Sequence, residues 1–289
     1  MISKMKMGDR DFVQLLPQFS LIWCLLNITE NTLENLPIKI VATILLLFSD
    51  LAYLPKYWLI FIISYLLYFI PNLVTADNHR WLFLYFIFGI YISLLQKDPK
   101  KQLSHEAIKR TSISLIIVSF SLAFLWKLLT PKYMDTSFFE FVLAGGDHRL
   151  QDFVVLILGY LPQDIKHNIY LIENFIPGNP IQAYATPLII SGPLKAASAF
   201  FTYYALAIEL AVPTLYLISL KNKAYRKYAS YSLLVFIISV YFITPVYGFG
   251  EILALLGLAS CEDKRMEKNF FWSFIFMMAL YAQWSYKLI

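Results

Sequence analysis

One lysine lies inside an apolar run of this sequence, where a charge is unusual and could serve chemistry. Lys127 lies within Phe124–Leu129, about one helical turn from the predicted outer end of a helix. A partly desolvated lysine in such a place can act as a general base near neutral pH. The alternative is that its long side chain runs along apolar surface and brings the ammonium to the headgroups of a membrane.

Two glutamates also lie in apolar runs. Glu209 is near the middle of Ala196–Ser219, too deep to reach a headgroup layer. We expect it to be protonated, paired with another side chain, or facing a polar cavity, and it is a candidate intramembrane proton or cation site. A structural hydrogen bond to a tyrosine is the alternative. Glu251 follows Tyr247–Gly250, where an acid at a helix start is favoured by the helix dipole.

His79 lies in a short polar connection, residues 77–80, and considered alone it is an exposed loop histidine. The other histidines lie in polar connections without metal-ligand spacing: His105, His148 and His167. The two cysteines, Cys24 and Cys261, are far apart and form no C-x-x-C pair. The sequence therefore predicts no metal site, and it contains no phosphate-binding glycine loop, G-x-S-x-G or H-E-x-x-H motif.

The composition indicates which class of element must carry these side chains. Apolar residues make up 59% of the 289 residues and charged residues 15%, whereas soluble domains carry about 25% charged residues. Charge this sparse is typical of a chain whose surface faces lipid. The net charge of +5 is therefore no indication of nucleic-acid binding, and we predict none.

A membrane-spanning helix needs about 20 apolar residues. Four apolar runs are close to that length or longer, and five others are shorter or more interrupted. They predict an all-α, polytopic transmembrane bundle of eight or nine spans, forming a single integral membrane domain over residues 1–289. The predicted spans are Phe12–Ile28, Ile38–Leu54, Tyr57–Ala76, Trp81–Leu95, Thr111–Leu129, Ala196–Ser219, Tyr228–Thr244, Gly248–Ala259 and Phe270–Lys287.

The positions of the basic residues predict the orientation of these spans. With the N-terminus cytoplasmic, most of the 24 basic residues fall in short inner connections, as the positive-inside rule requires. These inner residues are Lys4, Lys6, Arg10, Lys56, Lys97, Lys100, Lys101, Lys109, Arg110, Lys221, Lys223, Arg226, Lys227, Lys264, Arg265 and Lys268.

The same orientation leaves a long connection, residues 130–195, on the outer or lumenal side. Within it, apolar residues recur at helical spacing and predict a helix that lies on the membrane surface. These residues are Leu150, Phe153, Val154, Ile157 and Leu161.

Two stretches carry a resemblance to a known family. Asp77–Phe83 resembles the Asn-His-aromatic-Leu opening of a membrane helix in vitamin K-dependent γ-glutamyl carboxylases, and Ala123–Met134 resembles their later Lys-Leu segment. Bacterial relatives with the horizontally transferred transmembrane domain share the first motif more loosely. The order and approximate separation of the two stretches match the family, and the predicted topology brings His79 and Lys127 toward the same outer face.

The resemblance implies a quinol-dependent, carboxylase-like lyase. Lys127 would be the base that activates a reduced naphthoquinone, whose reaction with oxygen yields a stronger base that removes a proton from the γ-carbon of a glutamyl peptide. His79 would help to stabilise the carbanion before carbon dioxide adds. The residues that bind the cofactor are not identified by the motifs.

Two non-enzymatic functions stay open on the sequence alone. One is a transporter component that uses Glu209, since proline- and glycine-bearing spans and a midplane acid suit that class. The other is a non-catalytic subunit or assembly factor of a membrane complex, with its aromatic faces buried against partner subunits.

Overall fold

The computed structural model describes residues 11–28, 35–73, 77–96, 103–146, 151–174, 188–243 and 246–285, and within these ranges the protein is all-α without a strand. The α-helices found there are α1 (Leu16–Asn27), α2 (Leu36–Leu47), α3 (Pro55–Phe69), α4 (Asn78–Leu95), α5 (His105–Leu129), α6 (Pro131–Met134), α7 (Ser137–Phe141), α8 (Gln151–Leu158), α9 (Pro162–Glu173), α10 (Gly192–Lys221), α11 (Arg226–Ile243), α12 (Tyr247–Ser260) and α13 (Lys264–Ser285).

The chain forms two compact units. The first unit comprises Met1–Ser119 and Val212–Ile289, and the second comprises Phe120–Ala211. The division into two units does not test the prediction of a single membrane domain, which stays a prediction.

Each of the nine predicted spans contains an α-helix, but several helices are shorter than the apolar run. The run Ile38–Leu54 divides into α2 and a 3-10 helix, Ser49–Tyr53. The next helix, α3, begins at Pro55, because proline has a helical φ and its missing N–H is tolerated in a first turn. Runs of apolar residues therefore predicted helix positions better than helix lengths.

Two of the described helices are long and apolar enough to cross a membrane by length and composition, α5 and α10. Four shorter helical segments are also apolar: Phe12–Asn27, Leu36–Leu47, Pro55–Phe69 and Tyr247–Ser260. The all-α prediction is confirmed, and the membrane-spanning bundle stays a prediction.

Helix α12 is the centre of the first unit. It packs against α1, α4, α11 and α13, and all its residues except Tyr247 and Phe249 are buried. A Cβ atom at Gly257 would collide with the ring of Phe270 in α13, so the glycine lets these two helices approach closely. The predicted span with the shortest apolar run is thus the most completely buried helix of its unit.

In the second unit, short helices cover much of residues 131–173. Helices α7, α8 and α9 pack around a π-helical turn, Val142–Gly146. The predicted surface helix exists as α8, but it ends at Leu158 because Gly159 adopts a positive φ of 62° and Pro162 starts a new helix. Leu150 lies outside the described residues, and the membrane-surface location stays a prediction.

Candidate functional site

Lys127 and Glu209 form an ion pair in the second unit. Lys127 lies in the last turn of α5 and Glu209 in α10, and the lysine Nζ donates a hydrogen bond to Glu209 Oε1. The glutamate side chain is 6% exposed and the lysine side chain 24% exposed. Two of the predicted site residues, 82 positions apart in sequence, are therefore brought together.

Tyr133 lies beside this ion pair. It lies in α6, just after α5, and the Lys127 ammonium is 4.8 Å from the centre of its ring, a cation–π contact. Burial raises the pKa of Tyr133, and the nearby charge of Glu209 raises it further. The phenol consequently keeps its proton at neutral pH and can donate a hydrogen bond.

Three buried polar atoms of the second unit have no hydrogen-bond partner among the described residues: Glu209 Oε2, the Tyr133 hydroxyl and Thr202 Oγ1. Thr202 and Glu209 are seven residues apart on α10, about two helical turns, so they share one face of the helix. Buried polar groups are normally satisfied. Each of these atoms can therefore form a hydrogen bond with water or with a bound molecule.

Aromatic and apolar side chains surround these polar atoms. Tyr133 packs with Phe139, Ala205 and Leu206 in one buried cluster, against which Phe124 and Phe201 are partly buried. Aromatic surface of this kind suits a flat hydrophobic molecule. The Tyr133 hydroxyl therefore lies at an aromatic, apolar cluster.

Glu251 lies in a second polar cluster, in the first unit. Its side chain is fully buried, and Oε2 accepts a hydrogen bond of 2.7 Å from Asn27 Nδ2. Asn27 also donates to the Trp23 carbonyl, 3.2 Å away. Helix α12 begins at Tyr247 and has no acid in its first turn. The interpretation of Glu251 as an acid at a helix start is therefore wrong.

His79 lies beside the same cluster. It is the second residue of α4, its side chain is only 15% exposed, and its ring meets the edge of Trp23 with centroids 6.2 Å apart. Burial lowers the pKa of His79, partly opposed by the carboxylate of Asp77. The interpretation as an exposed loop histidine is wrong, because α4 begins early enough to pack the ring against α1.

Gly248 lies against the other residues of this second cluster. Its carbonyl accepts a hydrogen bond from Trp23 Nε1 at 3.1 Å. A Cβ atom at this position would collide with Asn27 Oδ1 and lie 3.6 Å from His79 Cδ2. The absence of a side chain thus allows the two polar side chains to lie against the backbone of α12.

The sequence patterns missed Asn27, Trp23, Tyr133 and Thr202 as members of these clusters. Asn27 had a usable signal, because it is a polar residue near the end of an apolar run. The others had none, since a tryptophan, a tyrosine and a threonine are common in membrane-like helices. The predicted residues therefore fall into two groups, Lys127 with Glu209 in the second unit and His79 with Glu251 in the first.

A third polar region is a cavity of about 350 Å³ at one end of the first unit. Its lining comprises Asp11, Val13, His105, Glu106, Lys109, Ala259, Cys261, Glu262, Lys264 and Glu267. Lys109 and Arg226 both pair with Glu262, the second at 3.5 Å. In the described part of the chain, no group of three or more histidine, cysteine or acidic side chains could hold a metal ion.

Comparisons of the chain with protein-family models, with curated proteins and with solved structures give no match. The carboxylase resemblance of the two sequence motifs therefore stays an expectation.

Proposed function

We propose that this protein is an integral membrane enzyme whose Lys127–Glu209 pair moves a proton to or from a hydrophobic ligand at the outer face of the membrane. The observation that carries the proposal is the pairing itself, with a buried Glu209 Oε2 for which the described residues offer no hydrogen-bond partner. A basic group next to an unsatisfied buried oxygen is a typical arrangement for general acid–base catalysis.

The pair supplies a base in either of its protonation states. If Lys127 is charged, the Glu209 carboxylate accepts the ligand proton and the ammonium stabilises the oxyanion that forms. If the shared proton resides on Glu209, the neutral amine is the base. The Tyr133 hydroxyl, which keeps its proton, offers a further donor to a ligand oxygen.

The ligand that the carboxylase resemblance implies fits these residues. A reduced naphthoquinone would supply acidic hydroxyl groups and reactivity toward oxygen. Glu209, Tyr133 and Thr202 offer the polar contacts, and the cluster around Phe139 offers the apolar surface. For His79, in the first unit, the resemblance implies the part of carbanion partner toward a glutamyl peptide, and the lowered pKa of His79 favours the neutral imidazole.

Exposed apolar helix faces support the membrane location. On α5, large apolar side chains are open to the surroundings over several turns, with Leu122 61%, Trp126 73% and Leu129 78% exposed. A contiguous apolar face of this extent is unfavourable in water and favourable against lipid. Asp11, Lys109 and Lys264 line one cavity. The predicted topology assigns the segments of all three to the same side of the membrane, and this agreement supports the predicted orientation.

The geometry does not favour the use of Glu209 as a cation site. Its charge is already offset by Lys127, so a transported cation would have to displace an ammonium. A function as a subunit or assembly factor requires partner proteins. The purification that tests the enzyme also tests whether such partners are bound.

The experiment is mass spectrometry of small molecules that co-purify with the gently solubilised protein from a membrane fraction. We expect a bound quinone in the wild type and in Lys132→Ala, where an exposed lysine is removed, and none in Lys127→Ala. Glutamyl peptides are then assayed for incorporation of carbon dioxide.

A protein complex of fixed stoichiometry without a quinone would instead favour the subunit function. Flux of an ion in vesicles that is lost in Glu209→Gln would favour the transporter. Recovery of the protein from the soluble fraction, or its release from membranes by alkaline carbonate, would contradict the integral membrane location.

A further inference from the structure

The N-terminal segment of the first unit is joined to the start of α5 by one glutamine. Leu103 N–H donates to Gln14 Oε1 at 3.2 Å, and Gln14 Nε2 donates to the Leu103 carbonyl at 3.4 Å. These two bonds fix which end of the amide is oxygen and which is nitrogen. Gln14 Nε2 also lies 2.6 Å from His105 Nε2. Since an amide nitrogen only donates, His105 Nε2 is the acceptor and carries no proton.

The same ring nitrogen faces an acid. His105 Nε2 lies 3.3 Å from Asp11 Oδ2, a contact that becomes a charged hydrogen bond only when the nitrogen is protonated. The other carboxylate oxygen, Asp11 Oδ1, is buried, has no hydrogen-bond partner within the described ranges, and lies 3.7 Å from Lys264 Nζ. One nitrogen thus has two partners with opposite requirements: the Gln14 amide needs Nε2 without a proton, and Asp11 needs Nε2 with one.

We infer that His105 is an acid-sensitive switch that exchanges Gln14 for Asp11 and thereby changes access to the charged cavity at this end of the first unit. Histidine is the side chain whose charge ordinarily changes between about pH 5 and pH 8. Protonation places an N–H against the Gln14 amide N–H₂, so Gln14 must leave and its bonds to Leu103 are lost with it. The 3-10 helix that contains Gln14, Phe12–Leu15, then moves away from the start of α5.

Several other charged groups face this cavity and contribute to its electrostatics. They are Glu106, Lys109, Glu262, Lys264 and Glu267, with Arg226 beside Glu262. A hydrogen bond from Arg110 lowers the pKa of Glu106, and one from Lys109 lowers that of Glu262. Both carboxylates are therefore charged over the range in which histidine titrates. Burial raises the pKa of Glu267, so its titration must be separated from that of His105.

Cys261 is a built-in reporter for the switch. It lines the cavity and is 8% exposed, and the other cysteine of the chain, Cys24, is fully buried elsewhere in the unit. In a Cys24→Ala background, the rate of maleimide labelling of Cys261 is measured between about pH 5 and pH 8. Each rate is divided by that of a small free thiol at the same pH, which removes the intrinsic pH dependence of the reagent.

We expect the normalised rate to rise several-fold on acidification in the parent protein and in two controls, His167→Gln and Glu267→Gln. His167 is an exposed histidine of the second unit. We expect a flat profile in His105→Gln, because no proton binds there. In Gln14→Met the rate should already be high at the alkaline end, because the partner of the neutral ring is gone.

Equal pH profiles in the parent and His105→Gln would overturn the switch, and so would a profile abolished by Glu267→Gln alone. A second measurement does not depend on any variant folding as the parent does. In protein with ¹⁵N-labelled histidine, we expect the His105 resonance, assigned by its loss in His105→Gln, to report an unprotonated Nε2 at the alkaline end. A protonated Nε2 there would contradict the proposal.

Discussion

Glu209 and Glu251 are both buried glutamates in helices, but they differ in their partners. Glu209 pairs with the ammonium of Lys127, which offsets its charge. The partner of Glu251 among the described side chains is the uncharged amide of Asn27. Each glutamate also has one oxygen without a hydrogen bond to any residue that the structure describes. The charge of Glu209 is thus compensated within the second unit, at the pair that we propose to be reactive, whereas Glu251 bonds to a neutral amide between two packed helices of the first unit.

The largest effect should come from breaking the compensated pair. In Lys127→Ala the Glu209 carboxylate stays buried without its cation, which costs about 3–5 kcal/mol of unfolding free energy. Lys127→Ala/Glu209→Gln, which removes both charges, should recover much of that loss without recovering activity. Thermal unfolding in detergent measures both variants, with Lys132→Ala as the control. If Lys127→Ala were as stable as the wild type, the ion pair between Lys127 and Glu209 would be contradicted.

Gly248→Ala should disturb the second cluster by crowding rather than by charge. The added Cβ would collide with Asn27 Oδ1, and overpacking of a close-packed site costs about 1–3 kcal/mol. Gly192→Ala is the matched control, because a Cβ atom there meets nothing within 4 Å. The difference between the two unfolding midpoints is the measurement. Equal midpoints would mean that α1 and α12 are not in close contact at this point.

Glu251→Gln should be tolerated, in contrast to Lys127→Ala. The glutamine oxygen still accepts the hydrogen bond from Asn27 Nδ2, so we expect a loss of at most about 1 kcal/mol. Asn27→Leu, which removes the donor, should cost more than Glu251→Gln. Chemical unfolding of the two variants side by side measures this. A strongly destabilised Glu251→Gln would indicate that the carboxylate charge itself is required. The stability of the protein would then depend on the charge of both glutamates, Glu209 and Glu251.

The pH dependence of stability should reveal the buried imidazole of the second cluster. Because burial lowers the pKa of His79, the folded protein favours the neutral ring. This contribution is present above the ordinary histidine pKa of about 6.5 and is lost as the pH falls toward the lowered value. In a His105→Gln background, unfolding free energy should therefore fall on acidification more steeply than after the further change His79→Gln. Parallel curves would contradict the burial of His79.

The smallest effect on stability should come from Tyr133→Phe. The hydroxyl has no hydrogen-bond partner in the part of the chain that the structure describes, so its removal should leave the unfolding free energy nearly unchanged. Ligand retention should nevertheless fall if that hydroxyl contacts the ligand. Quinone content per protein after purification, compared between Tyr133→Phe and wild type, separates the two roles. Tyr203→Phe, at an exposed tyrosine of α10, is the control.

The sequence predicted the positions of the helices well, because an apolar run is a local pattern that can be recognised without knowledge of the tertiary structure. It did not predict that α2 ends at Leu47, because Ser49 and Asp50 interrupt the run only briefly and the turn depends on their surroundings. It indicated Lys127 and Glu209 separately, as charges in apolar runs. Their pairing depends on how α5 packs against α10, which no local pattern specifies. The same is true of Asn27 and Glu251, whose contact joins the end of α1 to α12.

The burial of α12 has a consequence for how the protein would be inserted into a bilayer. Its 14 residues extend about 21 Å, less than the hydrocarbon thickness of about 30 Å. A helix this short that also carries Glu251 is a poor independent insertion segment. Its surroundings are α1, α4, α11 and α13, so it would enter the membrane only as a member of that group. Assembly of this unit would therefore be complete only after α13, the last of these helices to be synthesised, has joined the others.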